Sequence, residues 1–381
     1  MTLKGNWNYP TTVWAGPGRI AELPAALKRL GIGKPLLVTD EGLAKAAMVE
    51  SALAATGAAL FAKVKGNPTG RNVEDGLAAL KAGGHDGVIA FGGGSALDAA
   101  KAIALMWGQT RPLWDFEDIG DWFKRVDPKG MLPVVAVPTT AGTGSEVGRA
   151  SVITDEATHT KKIVFHPNMM PGVVISDPEL TVGLPAHVTA ATGIDAYVHC
   201  FEAYCAPGFH PMAEGIALEG MRLVKTFLPR AFKNGKDIEA RGQMLAAASM
   251  GAVAFQKGLG GVHALAHPIG ALYDTHHGLT NAVLLPYVMV HNRAAIAARM
   301  GLLARVLDLP NPGFDAVLAW TLDFRAALKI PHTLKEIGVD DARAAEIGAM
   351  AEKDPSAGGN PCPVSAKDLE TVFRAAVAGK V

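Results

Sequence analysis

The first half of the chain alternates short, unbroken apolar runs with Ala-rich segments of helical character. Pro35–Thr39 (PLLVT) ends at Asp40, and Gly87–Phe91 (GVIAF) runs straight into three glycines. Val134–Val137 (VVAV) is stopped by Pro138, and Val173–Ser176 (VVIS) ends at Asp177-Pro178. Each run is too short for a helix and has no polar alternation, so it predicts a strand buried on both faces. Gly42–Thr56 and Val73–Ala82 lie between these runs and predict covering helices. Strand and helix in turn predict a parallel α/β sheet. From about Leu184 the texture changes: strand-like runs thin out, Pro185-Ala186-His187 opens a helix, and helical patterns continue to the C-terminus. The expected organisation is an α/β domain over residues 1–183 and an all-α domain over 184–381.

Composition narrows the function classes. Of 381 residues, 49% are hydrophobic and 19% charged, which fits a globular chain with a large core. The net charge is zero, giving no electrostatic reason for nucleic acid or anionic lipid as partner. The apolar run Met244–Phe255 is short and ends at Gln256 and Lys257, as a buried helix does and a membrane span does not. Cys200, Cys205 and Cys362 form no CxxC pair, which suits a reducing compartment. Met1–Gly18 has no apolar signal core, so the cytoplasm is the expected address.

Two loops of the first half suit a phosphate-bearing ligand. Gly92–Lys101 (GGGSALDAAK) follows a strand and opens a helix, with Gly93, Gly94, Ser95 and Asp98 at the turn. Glycines let a backbone approach a diphosphate, and a helix N-terminus offers free N–H groups. The spacing is neither GxGxxG nor Walker A, and a turn needing glycine for steric reasons gives the same string. Pro138–Val147 (PTTAGTGSEV) also follows a strand, with Thr139, Thr140, Thr143 and Ser145 supplying hydroxyls where open α/β sheets bind ligands. A Ser/Thr turn bonding its own backbone is the alternative. Asp40 stands where a carboxylate would meet an adenosine ribose and repel a 2′-phosphate, favouring NAD over NADP; it could equally cap the next helix.

The second half concentrates metal-ligating side chains. Asp195 and His199 are four residues apart, as are His263 and His267, so each pair shares a helix face. His276 and His277 follow closely. Mixed imidazole and carboxylate donors suit Fe²⁺ or Zn²⁺ and not Ca²⁺ or Mg²⁺. Spacing does not say which four ligate. His85, His159, His166, His187, His210, His291 and His332 stand apart from this set.

Together these pieces resemble the iron-containing (group III) alcohol dehydrogenase family. The resemblance runs through the two loops, the GIDAxxHxxEAY helix (Gly193–Tyr204), the segment Gly260–Gly278, and Asn281–Pro286. It implies a Rossmann-like N-terminal domain and an all-helical C-terminal domain, the dehydroquinate synthase-like fold, with the active site in the cleft between them. It implies a metal on Asp195, His199, His263 and His277, Fe²⁺ or in some members Zn²⁺. It implies NAD(H) against Asp40, Gly93, Gly94, Ser95, Thr139, Thr140, Thr143 and Lys162. The reaction expected is interconversion of a primary alcohol or diol with its aldehyde. His267 is the candidate for passing the proton to solvent, with orientation of a ligand as the other reading. A homodimer or larger homo-oligomer is expected.

The chain departs from relatives at Gly148-Arg149-Ala150 and at Asn360-Pro361-Cys362-Pro363, which leaves the substrate open. Arg149 could meet a carboxylate-bearing semialdehyde or brace its loop. Phe255 could line the pocket or pack in the core. The rivals are a glycerol dehydrogenase-like enzyme or semialdehyde reductase on the same scaffold and, from another class, a non-catalytic NAD or iron sensor.

Overall fold

A computed structural model describes residues 5–7 and 10–381 of the chain. The residues divide into two compact units: one ends at Gly183 and lacks Ala141–Thr143, and the other combines Ala141–Thr143 with Leu184–Val381. The sequence boundary near 183 left those three residues with the α/β part. They cluster with the helices because Gly142 lies against Thr192, where a Cβ would come within 2.9 Å of the Thr192 Cβ.

Among the described residues the first unit holds strands β1 (Gly5–Trp7), β2 (Thr12–Ala15), β3 (Pro35–Asp40), β4 (Ala59–Val64), β5 (Gly87–Gly92), β6 (Val134–Pro138), β7 (Ala150–Asp155), β8 (Thr160–Phe165) and β9 (Val173–Ser176). Its helices are α1 (Leu23–Arg29), α2 (Ala47–Thr56), α3 (Gly70–Gly83) and α4 (Gly94–Met106). Seven strands form one sheet in the order β1-β2-β9-β6-β5-β3-β4, parallel except for β1. β7 and β8 pair separately as an antiparallel hairpin.

The four apolar runs are β3, β5, β6 and β9, side by side at the sheet centre. Leu37, Ile89, Phe91, Val135 and Val173 join Leu27 and Val49 in one core cluster beside α1 and α2. The alternate residues Leu36, Val88, Ala90 and Ala136 are equally buried on the opposite face, where α4 packs on β3, β5 and β6. Burial on both faces is why these strands show no polar alternation. Each Val, Leu or Ile so buried contributes roughly 1.5–3 kcal/mol.

The second unit is helical: α5 (Ala186–Cys205), α6 (Pro211–Lys233), α7 (Ile238–Ala254), α8 (Gly261–Tyr273), α9 (His277–His291), α10 (Arg293–Val306), α11 (Phe314–Ala327), α12 (Ala344–Glu352) and α13 (Ala366–Ala378). α5 is the central member, buried on every side from Thr189 to Cys205 apart from a half-buried Thr192, with α6, α7 and α9 packed around it. A helix so placed needs no polar face. Glycines set its spacing to the neighbours. A Cβ on Gly251 of α7 would lie 3.0 Å from the His199 Cβ. One on Gly278 of α9 would lie 2.7 Å from the Ala191 carbonyl oxygen and 3.1 Å from the Asp195 Cβ. These contacts fall at the turn of α5 that carries the candidate ligands. No described helix is long and apolar enough to cross a membrane.

Candidate metal centre and nucleotide loops

Asp195 and His199 lie one turn apart on α5, His263 near the start of α8, and His277 at the first position of α9. Each offers one ligand atom, and the four atoms lie within 4.8 Å of one another. The Asp195 Oδ1 is 4.0 Å from the His199 Nε2 and 3.9 Å from the His277 Nε2. Three of the four residues are buried, and His277 is partly buried. Burial pushes the His199 imidazole down to about 4, so it is neutral at pH 7 with a lone pair to give. Three imidazole nitrogens and one carboxylate oxygen, convergent and largely buried, are a donor set that fits Fe²⁺ or Zn²⁺.

Neighbouring side chains orient several of these ligands. Glu202, one turn beyond His199, accepts from the Val262 N–H at 2.7 Å through Oε1 and from the His263 Nδ1 at 2.6 Å through Oε2. With its Nδ1 proton so bound, His263 directs its Nε2 lone pair at the cluster. Burial lowers the His263 pKa and the Glu202 carboxylate raises it; the net direction is upward. The Asn281 amide nitrogen lies 2.7 Å from the Asp195 Oδ1, 3.2 Å from the His263 Nε2 and 3.1 Å from the His277 Nε2. It stands within hydrogen-bonding distance of three of the four ligand groups and donates to the Asp195 carboxylate.

Two other histidines sort themselves by partner. His276 turns its Nδ1 to the Leu279 N–H at 3.2 Å and caps α9. His267 is buried, its ring stacked on His277 with centroids 5.5 Å apart, and its Nδ1 is 2.7 Å from the Asp354 Oδ2. Phe255 lies partly buried against the helical core, its ring 5.2 Å from that of His199.

In the first unit the two loops meet at the C-terminal edge of the sheet. β5 ends at Gly92, whose φ of +144° belongs to glycine and where a Cβ would lie 2.8 Å from that of Ala96. Gly93 is the N-cap of α4, and Gly94 and Ser95 form its first turn. The Thr139 N–H donates to the Gly92 carbonyl at 2.9 Å. A Cβ on Gly93 would lie 3.3 Å from the Thr140 side chain. Asp40 ends β3, accepts from the Leu43 N–H at 3.0 Å, and turns its Oδ2 toward Gly92.

Several candidates are engaged internally. The Ser95 hydroxyl donates to the Gly66 carbonyl. Asp98 accepts from the Ser145 hydroxyl at 2.5 Å and the Val152 N–H at 2.9 Å, tying α4 to the second loop and to β7. Lys101, fully buried, donates to the Ser145 carbonyl at 3.0 Å and to the Ala150 carbonyl, with Asp98 3.3 Å away. Asp98 and Ser145 thus brace the loop. Lys162 on β8 pairs with Asp155 at 2.9 Å and lies over the Trp114 ring. Thr143 belongs to the second unit with Ala141 and Gly142. Arg149 lies 5.8 Å over the Phe165 ring. The Cys362 thiol donates to the Asn292 side-chain Oδ1 at 3.2 Å.

Glu202 and Asn281 sit inside the motifs read from the sequence, yet spacing gave them no role. A buried acid one turn past a ligand histidine was the available clue for Glu202. Asp354 had none, being 87 residues from His267.

Known proteins carry the same architecture. The model of the iron-containing alcohol dehydrogenase family matches residues 10–178, and that of the Fe-containing alcohol dehydrogenase family C-terminal domain matches residues 189–377. The chain is 39% identical over 379 residues to 4-hydroxybutyrate dehydrogenase of Cupriavidus necator, covering 96% of this chain and 98% of that protein. It is 34% identical to NAD-dependent methanol dehydrogenase of Bacillus methanolicus, covering 98% of this chain and 100% of that protein. The crystal structure of a 1,3-propanediol oxidoreductase superposes with a TM-score of 0.91 at 33% identity, over 99% of this chain and 100% of that one. The chain belongs to the iron-containing alcohol dehydrogenase family, whose members are oxidoreductases of alcohols and aldehydes.

Proposed function

We propose that this chain is an NAD(H)-linked, metal-dependent dehydrogenase that interconverts a primary alcohol or diol with its aldehyde. The observation that carries the reading is the convergence of Asp195, His199, His263 and His277 in a buried cluster, with His263 held in its ligating tautomer by Glu202. When bound there, Fe²⁺ or Zn²⁺ supplies Lewis acidity toward the alcohol or aldehyde oxygen, and NAD supplies the hydride acceptor. Residues 1–183 form the dinucleotide-binding domain in this reading, and 184–381 the metal-binding catalytic domain.

The chain's own groups divide the work. Gly93, Gly94 and Ser95 present the α4 N-terminus to the diphosphate. Asp40 accepts from the ribose hydroxyls, which selects NAD over a 2′-phosphate. Thr139, Thr140, Thr143 and Lys162 line the cofactor, while Asp98 and Ser145 hold their loop in shape. His267 accepts the proton leaving the alcohol and passes it to solvent. The chain works as a homodimer or larger homo-oligomer in the cytoplasm.

A second reading, reduction of a semialdehyde that carries a carboxylate, is favoured by the 39% identity to an enzyme named for 4-hydroxybutyrate, with Arg149 as the carboxylate partner. Purification without oxygen, metal analysis, and NADH oxidation with a panel of short aldehydes, diols and carboxylated analogues test both. Near-stoichiometric iron or zinc is expected, with turnover lost on chelation and restored by metal. Turnover that survives complete metal removal would overturn the metal-dependent reading. Arg149→Ala losing the carboxylated substrate selectively would decide for the second substrate class.

A further inference from the structure

His267 is one of two histidines at the cluster whose Nδ1 faces a buried carboxylate; the other, His263, has Glu202. Asp354 lies between α12 and the short 3₁₀ turn Pro355–Gly359, and its two oxygens have separate partners. Oδ1 accepts from the Ser356 N–H at 2.8 Å and so caps the turn. Oδ2 lies 2.7 Å from the His267 Nδ1. Burial raises the Asp354 carboxyl, while the His267 imidazole and the Ser356 donors lower it; the net direction is downward. The far end of the turn is fixed as well. The Asn360 side chain accepts from the Gly261 N–H at 3.0 Å and exchanges two 2.8 Å hydrogen bonds with Asn292. The loop carrying Asp354 is therefore pinned at one end to His267 on α8, and at the other to the start of α8 and the end of α9.

We propose that Asp354 is the positioning residue of His267: by accepting the Nδ1 proton, it fixes the tautomer whose Nε2 lone pair is open to a proton. The inference rests on the reading of His267 as the proton-passing residue. With Nδ1–H held by Asp354, Nε2 takes the proton released by the alcohol, giving the imidazolium, and returns it to water. Asp354 stays ionised throughout and stabilises the cation.

The division of labour between the two oxygens yields an isosteric test. In Asp354→Asn the amide oxygen must stay on the Ser356 N–H, because the NH₂ group cannot accept from it. That leaves the NH₂ facing the His267 Nδ1 as a donor. The imidazole is then driven to the other tautomer, with its proton on Nε2. Aldehyde reduction by the Zn²⁺-loaded enzyme should fall about 10²–10⁴-fold in kcat, the usual contribution of a positioned general acid–base group. Metal content, melting temperature and NADH affinity should not change. Asp354→Asn combined with His267→Ala should be no slower than His267→Ala alone. ¹⁵N-histidine NMR of the Zn²⁺-loaded wild type should show His267 protonated at Nδ1, with the pattern reversed in Asp354→Asn. An unprotonated Nδ1 in the wild type would overturn the proposal without any variant. So would an Asp354→Asn enzyme that keeps its turnover while His267→Ala loses it, which leaves the relay standing. Full turnover in His267→Ala would remove the relay and this proposal with it. Loss of metal or of several degrees of melting temperature in Asp354→Asn would mark a structural staple instead.

Discussion

At the scale of single residues, the cluster depends on which atom of each side chain is left available. Glu202 accepts the hydrogen bond of the His263 Nδ1–H and so leaves the Nε2 lone pair free for a metal. In Glu202→Gln the amide oxygen is expected to stay on the Val262 N–H and turn its NH₂ toward the His263 Nδ1. Metal affinity should fall about 10–100-fold, measured by competition against a chelator. His199 predicts a pH dependence. Its folded value of about 4 lies below the 6.5 of an unfolded chain. The unfolded state therefore binds more protons between these values, and the stabilisation is complete above 6.5 and lost as pH falls toward 4. The full loss is roughly 3 kcal/mol. His166 shares the direction, while His263, raised, contributes below 6.5 and loses its part as pH rises. Urea unfolding of the metal-free protein should show falling stability from pH 6.5 to 4.5, with a shallower fall in His199→Gln.

At the scale of elements, the site is made by how closely helices approach α5. Gly278 opens α9 and lets His277 stand beside Asp195. Gly278→Ala puts a methyl group 2.7 Å from the Ala191 carbonyl oxygen, which cannot move without shifting α5. The expected cost is about 1–3 kcal/mol, with the melting temperature lowered and metal bound more weakly, because His277 is displaced from its partners. In the first unit the comparable element is the α4 N-terminus, shaped by Gly92 and tied to the second loop through Asp98 and Lys101. Burial lowers the Lys101 pKa and Asp98 opposes it; the net direction is downward. The cation has three partners, so the lysine acts as a clasp.

At the scale of the whole molecule, the proposed function assigns one ligand to each of the two units. A ligand that binds only the folded state stabilises it by about 4 kcal/mol when present at a thousand times its Kd. Zn²⁺ added to the metal-free protein should therefore raise the melting temperature, and Asp195→Ala should abolish that shift. NADH should still stabilise the Asp195→Ala protein, since its proposed binding residues lie in other elements. A Zn²⁺ shift that persists in Asp195→Ala would place the ion elsewhere. Light scattering should give the mass of a dimer or a larger assembly.

The sequence by itself determined the elements that carry unbroken chemistry along the chain. β3, β5, β6 and β9 were legible because strands buried on both faces contain only apolar residues. Asp195 and His199, and His263 and His267, were legible because four residues make one helical turn. The hairpin β7–β8 escaped notice, since β7 buries every second residue but two of these three, Ser151 and Asp155, are polar, and it follows a loop rich in Ser, Thr and Gly. Spacing did not choose between His276 and His277; the resemblance pointed to His277, and the tertiary structure brings it to the cluster while His276 caps a helix. Tertiary structure alone assigned Asp98 and Ser145 to each other and brought Asp354 to His267 across 87 positions. Local periodicity reports what lies one turn or one strand away, whereas a hydrogen bond between distant segments exists only once the core has fixed their backbones.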